Sequence, residues 1–319
     1  MPVSREDVVM AYRYILGREP ENEAVIAAHM AGNEDRHAMR MTFLQASETL
    51  EIVNARALPP SLPLDVPALP IQLTADAETM ASLISYTGKY WEEVGRTAPH
   101  WSVLTAPEYR PEHIDANEVA FFESGRDDAA LLVALLRRIG RAPEEFQRCA
   151  EYGCGVGRIT THLAKLFPQV QALDISRPHL ELARQTLARF GQTNLEFHQV
   201  TPADLHPAQG FDLWFTRIVL QHNPPPIIMA ILDKVFGLLA PGGVAVFQVP
   251  TYRVRYSFEI GAYMQQGPGE RMEVHVVPQK AVLDLAARHG LQLADMREDT
   301  PVVENSPNWL SNTFVFCKG

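Results

Sequence analysis

Residues 149–164 read "CAEYGCGVGRITTHLA". Four residues of strand character run into glycines at 153, 155 and 157, and a helical pattern follows. A glycine-rich turn between a strand and a helix lets backbone approach a ligand closely, and the helix start offers free N–H groups. In an open parallel sheet, ligands bind beyond the carboxyl ends of the strands, at the point where strand order reverses. The stretch therefore predicts the first strand-turn-helix of an α/β nucleotide-type fold.

The spacing separates ligand classes. The dinucleotide fingerprint is G-x-G-x-x-G, whose third glycine lets helix and strand pack. Here the third glycine arrives one place early and Arg158 occupies the dinucleotide position. Glu151 precedes the first glycine by two residues, which suits a ligand bearing a cationic amino group and repels a pyrophosphate. The next strand, "VQALD", ends at Asp174, 21 residues after Gly153. A carboxylate there can accept both hydroxyls of a ribose. The plainer reading is a tight turn plus a helix cap at Asp174. It leaves the matched pair of features at two strand ends unexplained.

Outward from this stretch, strand and helix alternate. Strands are expected at 149–153, 169–173, 195–199, 211–216, 244–249, 292–298 and 312–317, with helices between most of them. Ser176 caps the helix that carries Leu180, Ala183 and Leu187, and Gly191 ends it. Asn223 is read as the cap of the helix through Ile231 and Val235, and "APGG" at 240–243 as the turn into "VAVFQV". Upstream, residues 76–145 read as a mainly helical cap. Its clearest helix is "DDAALLVALLRRIG", with Leu131, Leu132, Leu135, Leu136 and Ile139 on one face.

"EYGCGVGRIT" resembles the first motif of class I S-adenosylmethionine-dependent methyltransferases. "FDLWFTRIVLQH" is similar to that family's fourth-strand motif, and "LLAPGGVAVF" to its turn into strand five. The resemblance spans about 149–319. It implies an α/β, Rossmann-like seven-stranded sheet whose last strand is antiparallel, and S-adenosylmethionine as cofactor with S-adenosylhomocysteine as product. Carried over, it places Gly153, Gly155 and Gly157 under the methionine part, Glu151 near the amino group, Asp174 on the ribose and Ile175 on the adenine. The family's acid facing the adenine amino group falls at Thr201, with Asp204 three residues later, so that contact departs from the pattern. An NAD-dependent oxidoreductase is disfavoured by the glycine spacing. A non-catalytic cofactor-binding module is disfavoured by the intact Glu151, Asp174 and glycines.

Methyl transfer to a hydroxyl calls for a base. His275, in "GERMEVHVVPQ", and His222, at the end of "RIVLQH", are the two candidates, with His275 slightly preferred. Arg217 is placed to bind an acidic acceptor or to form a salt bridge at the sheet rim. Tyr252, Tyr256 and Tyr263 are expected to wall the acceptor site. Tyr90 and Trp101 are expected to bring aromatic surface to the sulfonium from a lid, whereas Trp91 is read as core. No metal-ligand spacing is present among acids, histidines or cysteines.

The remainder sets limits. The chain has 319 residues and a formal net charge of −10, without a basic run, which argues against a nucleic-acid partner. Three cysteines make no disulfide framework, which fits a cytoplasmic location. No apolar run approaches a membrane span. Residues 1–57 form a small all-helical domain in which "AYRYILGREPENEAV" resembles a module found beside transferases of bacterial surface-polysaccharide systems. It is read as a docking or homodimerisation element, with a plain cap as the alternative. Residues 58–75, rich in proline, are read as a linker to the enzyme domain at 76–319, which divides into the cap at 76–145 and the α/β core at 146–319. The expected acceptor is a hydroxyl of a sugar, glycan or related metabolite. The alternative is N- or O-methylation of a small natural product.

Overall fold

The computed structural model describes residues 2–49, 70–253, 255–266, 272–299 and 309–319. The chain divides into two compact units, Met1–Pro67 and Ala68–Gly319. The linker expected at 58–75 lies mostly outside the described residues. Its last part is not free chain: Ile71 bridges Phe258, and Gln72 N–H donates to the Phe258 carbonyl at 3.0 Å.

The first unit is helical. Helix α1 (Arg5–Ala11) opens on a capping box in which Ser4 and Asp7 satisfy each other's backbone donors. It continues as a π-helical turn, Tyr12–Leu16, and stops at Gly17 in the left-handed conformation (φ 69°). Asn22 and Asp35 cap α2 (Glu23–Gly32) and α3 (Arg36–Gln45). Val8, Tyr12, Ile26, Met39 and Phe43 form the core of this unit. Leu44, the neighbour of Phe43, is 40% exposed. Helix α3 ends at Ala46, whose backbone is extended.

The second unit is a seven-stranded sheet of order β3-β2-β1-β4-β5-β7-β6. Its strands are β1 (Arg148–Tyr152), β2 (Gln169–Asp174), β3 (Leu195–Gln199), β4 (Leu213–Thr216), β5 (Val244–Arg253), β6 (Leu291–Glu298) and β7 (Trp309–Lys318). Strands β1 to β5 are parallel, and β7 runs antiparallel to both β5 and β6. The helices are α4 (Ala77–Thr97), α5 (Pro99–Val103), α6 (Ile114–Arg138), α7 (Thr160–Leu166), α8 (Arg177–Arg189), α9 (Pro225–Leu238), α10 (Ile260–Gln266) and α11 (Gln279–Arg288).

Alternation along the strands sorts side chains into two layers. Tyr152, Trp214, Ala245, Phe247, Phe314 and Phe316 face one core with Leu83 and Ile84 of α4, Ile231 and Phe236 of α9, and Leu285 of α11. Cys149, Leu213, Phe215, Val244, Val246 and Val315 face the other, against Leu132, Leu135 and Leu136 of α6 and Leu163 of α7. Both faces are covered, so the central strands are largely apolar and buried, and their polar residues Glu151, Gln171, Asp174 and Gln248 are buried with them. Beside β1 the order reverses, with β2 on one side and β4 on the other. That is the crevice where such sheets bind ligands. No helix among the described residues is long and apolar enough to cross a membrane.

Candidate active site

A cavity of about 380 Å³ opens at this crevice. Its wall is built from the loops after β1, β2 and β4, together with α4, α5 and residues 272–274. Glu151, Gly153, Gly155, Asp174, Ile175, Arg217 and His222 all line it, so the sequence reading and the fold converge on one place.

The glycine turn is held from below. Gly153 N–H and Cys154 N–H both donate to the Leu173 carbonyl, at 2.7 and 2.9 Å. Gly153 and Gly155 adopt positive φ (76° and 54°), and a Cβ at either would meet a valine within 2.6 Å, Val219 at the first and Val103 at the second. Both positions therefore exclude side chains through conformation and through space. Gly157 also has positive φ, but it does not line the cavity. Its missing side chain leaves room for Leu187 of α8.

Asp174 carries two jobs. One carboxylate oxygen accepts Gly155 N–H at 2.8 Å and the other accepts Ser176 N–H at 2.8 Å. It ties the glycine turn to the start of α8, and each oxygen keeps lone-pair capacity for a ligand in the cavity. Glu151 is 3% exposed and accepts a hydrogen bond from the Thr160 hydroxyl at 2.6 Å. Burial pushes its pKa up to about 8; Thr160 and Arg158 oppose the rise, and Asp128 and Asp174 add to it. A buried acid of this kind is stabilised as a carboxylate once a cation arrives beside it.

Beside the glycine turn, the β4 end makes an unusual turn. Ile218 has φ 57°, a conformation that strains a β-branched residue. Its N–H is held by the Gln248 side chain at 3.0 Å. The turn delivers Arg217 and His222 to the cavity. Arg217 pairs with Asp128 through Nη1, and Asp128 also accepts Arg158 Nη2 at 2.5 Å. One carboxylate thus serves two cavity-lining guanidinium groups. Among the described residues, Nη2 of Arg217 makes no hydrogen bond to protein, in contrast to its Nη1.

His222 Nδ1 lies 2.8 Å from the Glu273 carbonyl, so Nδ1 carries the proton and Nε2 is left as an acceptor. Its ring stands edge-on to Trp91, with centroids 5.6 Å apart. Burial lowers its pKa to about 4, partly opposed by the Glu273 carbonyl and reinforced by His275. The imidazole is neutral at pH 7, with Nε2 as its acceptor nitrogen, 3.3 Å from the Gln221 side-chain amide.

Several expected site residues lie elsewhere. His275 does not line the cavity, and both ring nitrogens are engaged, Nδ1 with the Tyr256 hydroxyl at 2.9 Å and Nε2 with Glu273 at 3.2 Å. Tyr256 and Tyr263 pack around His275 and not on the cavity. Tyr252 sits opposite Leu310 in the β5–β7 ladder. Thr201 and Asp204 pair with each other in a turn, Asp204 lies 3.7 Å from Lys234, and the cavity residue there is Leu205. Tyr90 and Trp101 are half-buried off the cavity, Tyr90 against Trp91 and Trp101 under the Arg110 guanidinium. Trp91, expected in the core, lines the cavity in their stead. Asn223 does not cap α9; Pro224 holds that position, and the Asn223 amide donates back to Val219 and Leu220. Arg158, Ser102, Thr105 and Leu205 line the site without having been singled out as ligand contacts, because their neighbourhood arises only when distant loops meet.

Residues 150–243 match the family model described as "Methyltransferase domain". The matched stretch lies within the second unit, whose seven-stranded sheet with an antiparallel β7 has the Rossmann-like methyltransferase order. Among curated relatives, the trans-aconitate 2-methyltransferase of Methylobacterium radiotolerans is 39% identical over 115 residues, 35% of this chain and 42% of that protein. The enzyme of the same name from Acidovorax ebreus is 29% identical over 207 residues, 60% of this chain and 76% of its own. The chain spans less than half the length of the first relatives it matches, 42% and 44%. Magnesium protoporphyrin IX methyltransferase from Synechocystis PCC 6803, solved with S-adenosylhomocysteine, shares the fold at TM-score 0.50 and 16% identity, covering 74% of this chain and 99% of that one.

Proposed function

We propose that the protein transfers the methyl group of S-adenosylmethionine to a hydroxyl oxygen of a sugar or related small metabolite. The observation that carries this reading is one cavity lined both by the glycine turn with Glu151 and Asp174 and by His222, whose Nε2 is the acceptor nitrogen. The cofactor fits the residues present. The glycine turn offers a side-chain-free cradle, Asp174 retains acceptor capacity for ribose hydroxyls, and Glu151 is a buried acid awaiting a cationic partner. The cofactor supplies an activated methyl group on a sulfonium. The chain's residues orient it, exclude water and remove a proton. His222 Nε2 takes the acceptor proton as the new bond forms. Its low basicity is adequate because the attacking oxygen becomes strongly acidic as it gains the methyl group. Trp91 adds an aromatic wall beside His222, suited to a sulfonium or a sugar face.

A second reading has its own observation. Arg217, with Nη2 unbonded to described protein groups, suits a carboxylate acceptor, which needs no base. The relatives named for trans-aconitate, an acid, favour it as well.

The test is transfer of labelled methyl to a panel of sugars, oligosaccharides and small carboxylic acids, followed by mild alkali. Alkali-stable label on a sugar is a methyl ether and supports the first reading. Alkali-labile label on an acid is a methyl ester and replaces it with the second.

A further inference from the structure

His275 stands outside the cavity, yet its neighbourhood is built as tightly as the site itself. Its backbone N–H donates to the Gln221 carbonyl at 2.7 Å. One turn of chain away, the Glu273 carbonyl accepts His222 Nδ1–H at 2.8 Å. Residues 273–275 are thus bound at two points to the turn Leu220–His222. The side chains of the same residues point into a buried aromatic cluster. Glu273 Oε2 lies 2.7 Å from the Tyr263 hydroxyl and 3.2 Å from His275 Nε2, and His275 Nδ1 lies 2.9 Å from the Tyr256 hydroxyl. Phe258 and Tyr263 both stand edge-on to that imidazole, with centroids 5.4 and 5.7 Å away.

One arrangement of protons satisfies every pair in this network. An ionised carboxylate only accepts, so Tyr263 O–H and His275 Nε2–H both donate to Glu273. His275 Nδ1 then accepts, and Tyr256 O–H donates to it. The side chains of 273 and 275 bond to each other and to the two tyrosines, while the Glu273 peptide carbonyl faces His222.

Building on the proposed role of His222, we infer that Tyr256, Tyr263, Glu273 and His275 are positioning residues that select the His222 tautomer in which Nε2, beside the Gln221 amide, is the proton-accepting nitrogen. The network acts through the backbone of residue 273 and touches neither cofactor nor acceptor. The titratable or polar groups that surround His222 are Gln221 from its own turn and Glu273 and His275 from the facing segment, with Trp91 from α4. Those around His275 are Tyr256, Tyr263 and Glu273, with Tyr86 of α4 behind Tyr263. The depressed basicity of His222 is what such an enclosed, single-tautomer ring should show.

The experiment is imidazole 15N NMR on the full chain without cofactor or acceptor. The His222 signals are assigned by their loss in His222→Gln. In the unaltered protein at pH 6.5, His222 should be neutral and wholly the Nδ1–H tautomer. In His275→Gln, Tyr256→Phe and Tyr263→Phe, it should become a mixture of tautomers and titrate closer to the ordinary histidine value. The three variants span a large and two small perturbations, so at least one hydroxyl deletion remains folded by circular dichroism. An unchanged tautomer and titration in every folded variant overturns the inference. The readout needs no turnover, so a protein that fails to transfer methyl groups but shows these tautomers defeats the functional reading alone.

Discussion

Asp174→Ala should affect the protein twice, and the two effects can be separated. In the absence of any ligand, the carboxylate accepts Gly155 N–H and Ser176 N–H, each at 2.8 Å, in a setting only 9% exposed. Hydrogen bonds to a charged group are worth roughly 1.5–3 kcal/mol each, so removing both should lower stability by about 3 kcal/mol or more. In a unit of this size, about 3 kcal/mol corresponds to a fall in Tm of roughly 6–12 °C. Asp174→Asn should fall about half as far, because one oxygen remains while the new NH₂ faces a backbone donor. Loss of the ribose acceptors should also weaken S-adenosylhomocysteine binding at least about 100-fold, since two charge-assisted bonds together exceed the ~2.7 kcal/mol this requires. The assays are differential scanning calorimetry without ligand and isothermal titration with S-adenosylhomocysteine at a temperature where both proteins are folded. An unchanged ligand-free Tm in Asp174→Ala would refute the structural half of the argument. Binding within about fivefold of the unaltered protein, a difference near 1 kcal/mol, would refute the ligand half.

Three further outcomes follow from the geometry. Glu151, with its pKa pushed up to about 8, is mostly protonated at pH 7 in the ligand-free protein, so a cationic amino group arriving beside it should displace a proton. Titrations of S-adenosylhomocysteine in buffers of different ionisation heat should show close to one proton released at pH 7 and almost none at pH 9. Glu151→Gln should abolish the difference, and its ligand-free stability relative to the unaltered protein should rise as pH climbs from about 4.5 to about 8 and level off above, because the unfolded chain ionises this acid before the folded one does. Gly125→Ala should cost about 1–3 kcal/mol in chemical denaturation, because its Cβ would sit 2.1 Å from the Arg158 backbone oxygen and push α6 off the glycine turn; an unchanged midpoint would mean that α6 is not packed there as described. Ile218→Gly should relieve a left-handed β-branched residue, a strain of order 1–3 kcal/mol, and leave Tm equal or higher despite the smaller side chain; a clear fall in Tm would argue against strain at that turn.

The sheet was legible because each of its strands carries a strong local signal. Apolar runs such as "LWFT" and "VAVFQV" are bounded by turns, and the glycine turn with Asp174 orients the first two strands. The cofactor wall was legible for the same reason, since Glu151, Gly153, Gly155 and Asp174 lie at strand ends whose position the pattern dictates. The acceptor side was not. His275 and His222 are equivalent in sequence terms, both polar residues after strands. Only the fold shows that His275 is turned into an aromatic cluster by Tyr256 and Glu273, while His222 faces the cavity. Trp91 and Tyr90 are neighbours on α4, and a helix places adjacent residues about 100° apart, so the choice between them depends on which face packs inward. Asp128 gave no local signal at all. It matters because Arg158 and Arg217, thirty and eighty-nine residues away, both reach it.

The central claim is that the cavity beside the glycine turn receives S-adenosylmethionine. Titration of the full chain with S-adenosylhomocysteine, followed by thermal unfolding and compared with NADH, tests it most directly. At a ligand concentration about 100 times the Kd, binding should stabilise the fold by ~2.7 kcal/mol, which raises Tm by several degrees, and NADH should leave Tm unchanged. Stabilisation by NADH with none by S-adenosylhomocysteine would contradict the account.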